Sequence, residues 1–368
     1  MQFTASRCAK VIVLFSEVPC APRRSCFTSS HCSLPLSELP NKDKCMPQSF
    51  DLSPQRFELA AVDDEIRALA DKIAKKFSDA PARWELSLDI ERSRGPGSGL
   101  LELGTNDLPL NAENFSIDGP GGPILIRKFI PSNSASPAGV YLHLHGGGFC
   151  TGSARGQDAM LNRLAHDAQV IVLSVDYRLA PEHPYPAAVA DAEAAAFWLV
   201  RSCAGEFGVE RIVIGGESAG AYLSVSAALR LRDRHSYAGL AGLNLFQGTY
   251  DLRGTPSVML SDNGFVGRRS FRTLMERFVP EGLRNDPEVS PLCYSLHDLP
   301  PALFSAGTTD PVLDDSLFMH ARWLSYTNAA ELAVYPGAFH GFSLFDCELA
   351  HIANQKVASF VHNACTSA

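Results

Sequence analysis

The chain has 368 residues, a formal charge of −8, 46% hydrophobic residues and 20% charged residues. That length buries a sizeable core without metal or disulfide staples, and the acidity speaks against a nucleic-acid binder, which carries a basic patch or stripe. No run of about 18 apolar residues occurs, so no membrane-spanning helix is expected.

Residues 1–50 stand apart. They hold Cys8, Cys20, Cys26, Cys32 and Cys45, half of the ten cysteines, together with Arg7, Lys10, Arg23, Arg24, many serines and few acids. The apolar stretch 11–15 falls short of the roughly 7–15 residues of a signal-peptide core. The composition fits a transit peptide and equally an extension from a misplaced start codon, and the segment is read as a disordered extension without chemistry. The other cysteines (Cys150, Cys203, Cys293, Cys347 and Cys365) form no C-x-x-C pair. Zinc ribbons and thioredoxin-like motifs need that pair, so the expectation is free thiols in a reducing, cytoplasmic compartment.

Residues 51–110 form a second segment. Val62, Ile66, Leu69, Ile73 and Phe77 recur at spacings of three and four, one apolar stripe on an amphipathic helix that must cover something. The run Arg94-Gly-Pro-Gly-Ser-Gly99 reads as a loop.

From residue 111 a regular alternation begins. Strands are expected at 115–118, 124–130, 139–144, 170–175, 211–215, 240–246, 302–306 and 331–335, with helices at 187–200, 219–231, 316–326 and 350–362. Strands alternating with helices imply a mostly parallel central sheet flanked by helices. Ligands then bind beyond the carboxyl ends of the strands. The rhythm breaks at 247–299, an insertion with its own apolar helical stretch (Phe271, Leu274, Met275, Phe278). An insertion this long is usually a lid or substrate cover, and it is the expected partner of the 62–77 stripe.

Three motifs follow strands. Gly216-Glu217-Ser218-Ala219-Gly220 lies between a strand and a helix, where a serine hydroxyl stands exposed above the sheet. Its glycines leave room where strand and helix meet, and the helix N-terminus faces developing negative charge. A dinucleotide fingerprint or phosphate loop is excluded by Glu217, Ala221 and Tyr222 at the deciding positions. His145-Gly146-Gly147-Gly148-Phe149 supplies backbone N–H groups open to an oxyanion. His143 and His145 as a metal pair would lack further ligands at suitable spacing.

A serine needs a base, and the base an orienting carboxylate. His340, in a loop after the strand 331–335, is the base; Asp310, the first acid after the strand 302–306, is the carboxylate. Asp314 and Asp315 are assigned to helix capping. The order Ser218, Asp310, His340 is that of α/β-hydrolases.

Together with Asp176-Tyr-Arg-Leu-Ala-Pro-Glu-His-Pro184 and Asp310-Pro-Val-Leu-Asp314, these motifs resemble those of hormone-sensitive-lipase-like esterases, the bacterial family IV, within the α/β-hydrolases. The resemblance covers about residues 110–365. It implies an α/β-hydrolase fold with a helical cap, built from the segment 51–110 and the insertion at 247–299 of a catalytic domain spanning 111–368. It further implies a carboxylic-ester hydrolase for short- to medium-chain acyl esters, with an oxyanion hole from the N–H groups of Gly147, Gly148 and Ala219. Glu217, where aspartate is commoner, is taken as a neutral departure. In 176–184, Arg178 and nearby acids are expected to tie a loop down, with no catalytic part for Glu182 or His183.

No metal or cofactor is required, and the expected partner is a small-molecule ester. Oligomeric state is not legible, a homodimer being one option. Two other readings use the same fold. An amidase or peptidase would share the triad, and a non-catalytic small-molecule receptor would typically lack the histidine that stands here at 340. Deleting residues 1–50 is expected to leave ester hydrolysis unchanged, measured as kcat/KM of the truncated chain against the full one.

Overall fold

A computed structural model describes residues 110–134, 136–262 and 266–367, together with 57, 63–78, 85, 87–93 and 108. The extension over 1–50 and the loop at 94–99 lie outside the described residues.

The eight expected strands form one sheet. They are β1 (Ala112–Ile117), β2 (Ile124–Phe129), β3 (Val140–Leu144), β4 (Ile171–Asp176), β5 (Ile212–Glu217), β6 (Gly242–Phe246), β7 (Ala302–Gly307) and β8 (Ala330–Tyr335), in the order β1-β2-β4-β3-β5-β6-β7-β8. The pairs β1–β2 and β2–β4 are antiparallel, and every other pair is parallel. Strands β3, β5, β6 and β7 are buried along their whole length. Their sequences are accordingly continuous apolar runs rather than alternating ones.

Helices α3 (Asp158–Ala168) and α9 (Glu348–Thr366) cover one face; α4 (Ala187–Phe207), α5 (Ala219–His235) and α8 (Leu313–Ser325) cover the other. The division is visible within β3. Val140, Leu142 and Leu144 join Ala192 and Val225 in one core, while Tyr141 joins Leu161 and Val361 in the second. Helix α4 runs past the expected residue 200 because Gly208 is the first position to turn left-handed, with φ of 68°. The winding reverses at β3, which has β4 on one side and β5 on the other. Such a switch point opens a crevice at the carboxyl ends of the strands beside it.

The insertion carries α6 (Pro256–Leu260), α7 (Arg268–Phe278) and two 3-10 turns at Glu281–Leu283 and Pro291–Cys293. Phe271, Leu274, Met275 and Phe278 of α7 are buried in the core that also holds Tyr222 and Leu223 of α5. The amphipathic stripe is indeed helical, as α1 (Asp64–Ser78), but its described apolar residues Ile66, Leu69 and Ile73 pack in a core without residues of the insertion. Ile66 is 1% exposed in the other core, with Leu161, Phe339 and Phe345, and Leu69 and Ile73 pack against the same group. Glu65 adds a polar tie, its Oε2 accepting the Glu348 N–H at 2.9 Å at the start of α9. The segment that does reach the insertion is α2 (Leu88–Ser93), whose buried Glu91 pairs with Arg277 at 2.6 Å. Among the described residues, no helix is long and apolar enough to cross a membrane.

The capping role expected of Asp314 and Asp315 is also corrected. Helix α8 starts at Leu313, so both acids lie within its first turn, and their carboxylates reach across to the segment after β6. Asp314 accepts the Ser257 N–H at 2.9 Å. Asp315 accepts the N–H groups of Tyr250 and Asp251 at 2.6 and 3.0 Å, and the Thr255 hydroxyl at 2.5 Å.

Burial pushes the Asp315 carboxyl up to about 7 against those hydrogen bonds. The unfolded chain releases this proton near the ordinary value of about 4, whereas the folded protein keeps it to about pH 7. The protonated group therefore favours folding, and its contribution declines as pH rises between those values. Thermal unfolding of Asp315→Asn across pH 4–8 should lack this part of the wild-type decline; identical slopes in both proteins would refute the assignment.

Candidate active site

Ser218 follows β5 directly and begins the turn into α5, with φ of 57° and ψ of −117°. A non-glycine residue in that region costs about 1–3 kcal/mol and persists only where its surroundings enforce it. The enforcement is visible in the flanking glycines. A Cβ on Gly216 would lie 1.9 Å from the Leu144 carbonyl oxygen, and one on Gly220 would lie 1.8 Å from the same atom. The end of β3 thus presses on both sides of the serine turn.

The structure brings Ser218, His340 and Asp310 together. The Ser218 hydroxyl lies 3.0 Å from His340 Nε2, and His340 Nδ1 lies 2.9 and 3.0 Å from the two Asp310 oxygens. Asp310 is buried, and its Oδ1 also accepts the Val312 N–H at 2.9 Å. With the carboxylate at Nδ1, the imidazole carries its proton there and presents Nε2 as an acceptor to the hydroxyl.

Two loops from different strands must be joined for this geometry, and side chains do the joining. Gly337 N–H donates to Thr308 Oγ1 at 2.8 Å, and the Thr309 hydroxyl reaches the carbonyls of Gly337 and Ala338, each at 3.0 Å. Gln247, buried at the end of β6, grips the histidine loop on both sides. Its Nε2 donates to the Phe339 carbonyl at 3.0 Å, and its Oε1 accepts the Gly341 N–H at 2.7 Å. Sequence reasoning missed Gln247 and the two threonines; their only signal was position, each just after a strand.

The glycine loop adjoins the serine turn. Gly147 and Gly148 have φ of 117° and 59°, and among the described residues neither amide donates a hydrogen bond. Ala219 is the first residue of α5, where backbone N–H groups have no partner within the helix. Helix α7 closes over this loop. Phe149 and Phe278 stack at 3.8 Å, and a Cβ on Gly148 would lie 2.5 Å from Leu274 Cδ1.

Glu217, the residue before the serine, is held by three partners. Its Oε1 accepts the Gly146 N–H at 2.6 Å and Gln157 Nε2 at 2.5 Å, while its Oε2 lies 3.1 Å from His143 Nε2. Burial alone would raise its pKa, but His143, the Gly146 amide and Gln157 outweigh burial and hold the carboxyl below its ordinary value. His143 and His145 do not converge as a metal pair. His145 stacks on Tyr177 at 4.1 Å, bonds the Gly146 carbonyl through Nδ1, and is pushed below its ordinary pKa by burial. Arg178 ties its loop down as expected, with two bonds to Asp191 at 2.8 and 2.9 Å, and Glu182 pairs with Arg92 of α2.

A family model described as the α/β-hydrolase fold matches residues 141–344. The chain is 35% identical over 269 residues to carboxylic ester hydrolase LipN of Mycobacterium tuberculosis, covering 69% of this chain and 70% of that protein. It is 30% identical over 269 residues to an acetyl esterase of Salmonella choleraesuis, covering 70% and 82%. Its fold is similar to that of a hyperthermophilic esterase from the archaeon Pyrobaculum calidifontis, with a TM-score of 0.73 and 28% identity over 82% of this chain and 98% of that one. The chain belongs to the α/β-hydrolase family, in its hormone-sensitive-lipase-like branch of esterases.

Proposed function

We propose that this esterase hydrolyses short- to medium-chain acyl esters through Ser218, His340 and Asp310, by way of an acyl-enzyme. The observation that carries the reading is the continuous line of hydrogen-bond distances from Ser218 Oγ through His340 to Asp310. Ser218 Oγ attacks the ester carbonyl carbon as His340 Nε2 takes its proton, and Asp310 stabilises the resulting imidazolium. The negative charge on the former carbonyl oxygen is received by the amides of Gly147, Gly148 and Ala219, the last at the positive end of α5. Collapse of this intermediate expels the alcohol oxygen, which His340 protonates. Water then attacks the acyl carbon with His340 again as base, which frees the acid and restores the Ser218 hydroxyl.

The preference for modest acyl chains is supported by the apolar side chains of α7 packed against the glycine loop, and by likeness to a protein named acetyl esterase.

Ser218→Ala should lower kcat by at least about 10³-fold while the protein stays folded. Wild-type protein treated with a fluorophosphonate should gain one adduct, mapped to Ser218 by peptide mass. Across a p-nitrophenyl ester series, kcat/KM should peak between acetate and octanoate; retention of activity in Ser218→Ala would exclude the mechanism.

Gln247→Ala tests the support of the base. Loss of both bonds frees the loop that carries His340, and a misplacement of about 1 Å costs up to about 10²-fold in rate. The expected result is a lower kcat with little change in KM. An unchanged kcat would show that the two threonines hold the loop alone.

A further inference from the structure

We infer that His143 is a positioning residue of this esterase, acting through Glu217 to hold the glycine loop in register with the serine turn. The inference rests on the mechanism proposed above, in which Gly147 and Gly148 receive the oxyanion.

His143 is a polar residue within Val140-Tyr-Leu-His-Leu144, an otherwise apolar or aromatic strand, and it is buried rather than exposed. Both ring nitrogens are engaged. Nδ1 lies 3.0 Å from the Ser174 hydroxyl on the neighbouring strand β4, and Nε2 lies 3.1 Å from Glu217 Oε2. A carboxylate only accepts, so the Nε2 proton is donated to Glu217.

Glu217 bridges the two loops by covalent and hydrogen bonds. In sequence it immediately precedes Ser218, and through Oε1 it holds the amide of Gly146, which immediately precedes Gly147. One carboxylate therefore fixes the nucleophile turn and the oxyanion loop relative to each other. Oε1 takes two donors, Gly146 and Gln157, whereas Oε2 takes its bond from His143. Removing that donor leaves one oxygen of a buried carboxylate unsatisfied, which carries a full desolvation penalty and permits the group to turn. The Gly146 bond is what a turn would spoil.

The consequence falls on the transition state. Oxyanion donors act on charge that develops only there, so a displaced loop lowers kcat rather than raising KM. An opposing effect is also built in. A cavity of about 280 Å³ between the sheet and helices α3 and α9 is lined by Tyr141, His143, Glu217 and Asn244. Water admitted there could supply Oε2 with a substitute donor if the ring were merely truncated. The informative substitution therefore keeps the ring volume.

His143→Phe fills the same space without a donor, and His143→Gln places an amide N–H close to the position of Nε2. Steady-state hydrolysis of p-nitrophenyl acetate should show kcat of His143→Phe reduced about 10- to 100-fold with KM within twofold, scaled down from the loss of a direct oxyanion donor. His143→Gln should keep kcat within about threefold of wild type, as a donor-dependent role requires. The rate of Ser218 labelling by a fluorophosphonate should fall in parallel with kcat. If His143→Phe does not fold, His143→Leu takes its place with the same expected loss of kcat.

Equal activity of wild type and the donor-less variant would overturn the inference, as would equal losses in the Gln and Phe variants or a loss confined to KM. Ser218→Ala is assayed alongside. If hydrolysis survives in it, the triad reading falls and takes this inference with it. If hydrolysis depends on Ser218 and the donor-less variant matches wild type, only the role of His143 falls.

Discussion

The tightest glycine positions in the site are packed against backbone. The Leu144 carbonyl at the end of β3 lies so near Gly216 and Gly220 that a Cβ on either would sit within 2 Å of it. No side-chain rearrangement relieves such an overlap, since the obstacle is backbone. Three features follow from this one packing constraint. The chain turns sharply enough between β5 and α5 to place Ser218 in a strained conformation. The glycine loop, which begins one residue after Leu144, is held beside the serine. Glu217, the last residue of β5, comes within hydrogen-bonding distance of that loop.

Strain at Ser218 requires compensation, and the surrounding bonds provide it. The Ser218 amide donates to the Phe246 carbonyl at 2.9 Å, its carbonyl accepts from Tyr222, and α5 is buried along most of its length. The other two members of the proposed triad depend on different fastenings. Asp310 and His340 sit on loops after β7 and β8, parallel neighbours whose ends emerge side by side. Thr308 and Thr309 tie these loops together, and Gln247 ties the second one to β6. Each fastening pairs a side chain with a backbone amide or carbonyl; Thr309 is exposed and Thr308 half-buried, whereas Gln247 is buried, so its loss leaves buried backbone groups unsatisfied.

Much of this was legible before the fold was known. Short apolar runs marked β3 to β7, which are buried on both faces, whereas β1 and β2 were marked by the glycine-rich turn between them. The chemistry-bearing residues stood immediately after strands, where a parallel sheet exposes them. What was not legible were partners distant in sequence. The stripe of α1 announced a covered face but not which face would cover it, and Ile66 meets Phe339 and Phe345 from the far end of the chain. Asp314 and Asp315 looked like caps because local spacing cannot show that the segment after β6 folds back onto them. The bonds of Glu217 were hidden for the same reason, since Gly146, Gln157 and His143 all lie far from it in sequence. His143 gave the clearest unread signal: a titratable ring inside a buried strand has to be paired.

The two segments outside the sheet also converge on the glycine loop, by different chemistry. From the insertion, α7 contributes apolar contact, with Phe278 stacked on Phe149 and Leu274 filling the space that Gly148 leaves open. From the N-terminal side, α2 contributes polar contact. Arg92 donates to the Cys150 carbonyl at 2.9 Å, to the Ala180 carbonyl and to Glu182, while its neighbour Glu91 pairs with Arg277 of α7. Because Glu182 is half exposed, its ion pair contributes little by itself. The carbonyl bonds matter more, since Cys150 directly follows the Gly-Gly-Phe turn. The shape of the loop that presents two glycine amides is therefore set from three directions: by Glu217 beneath, by α7 above and by α2 at its far end. On the proposed mechanism, a substrate group that displaces α7 or α2 displaces the amides as well, which couples its fit against these helices to stabilisation of the oxyanion through the same few backbone atoms.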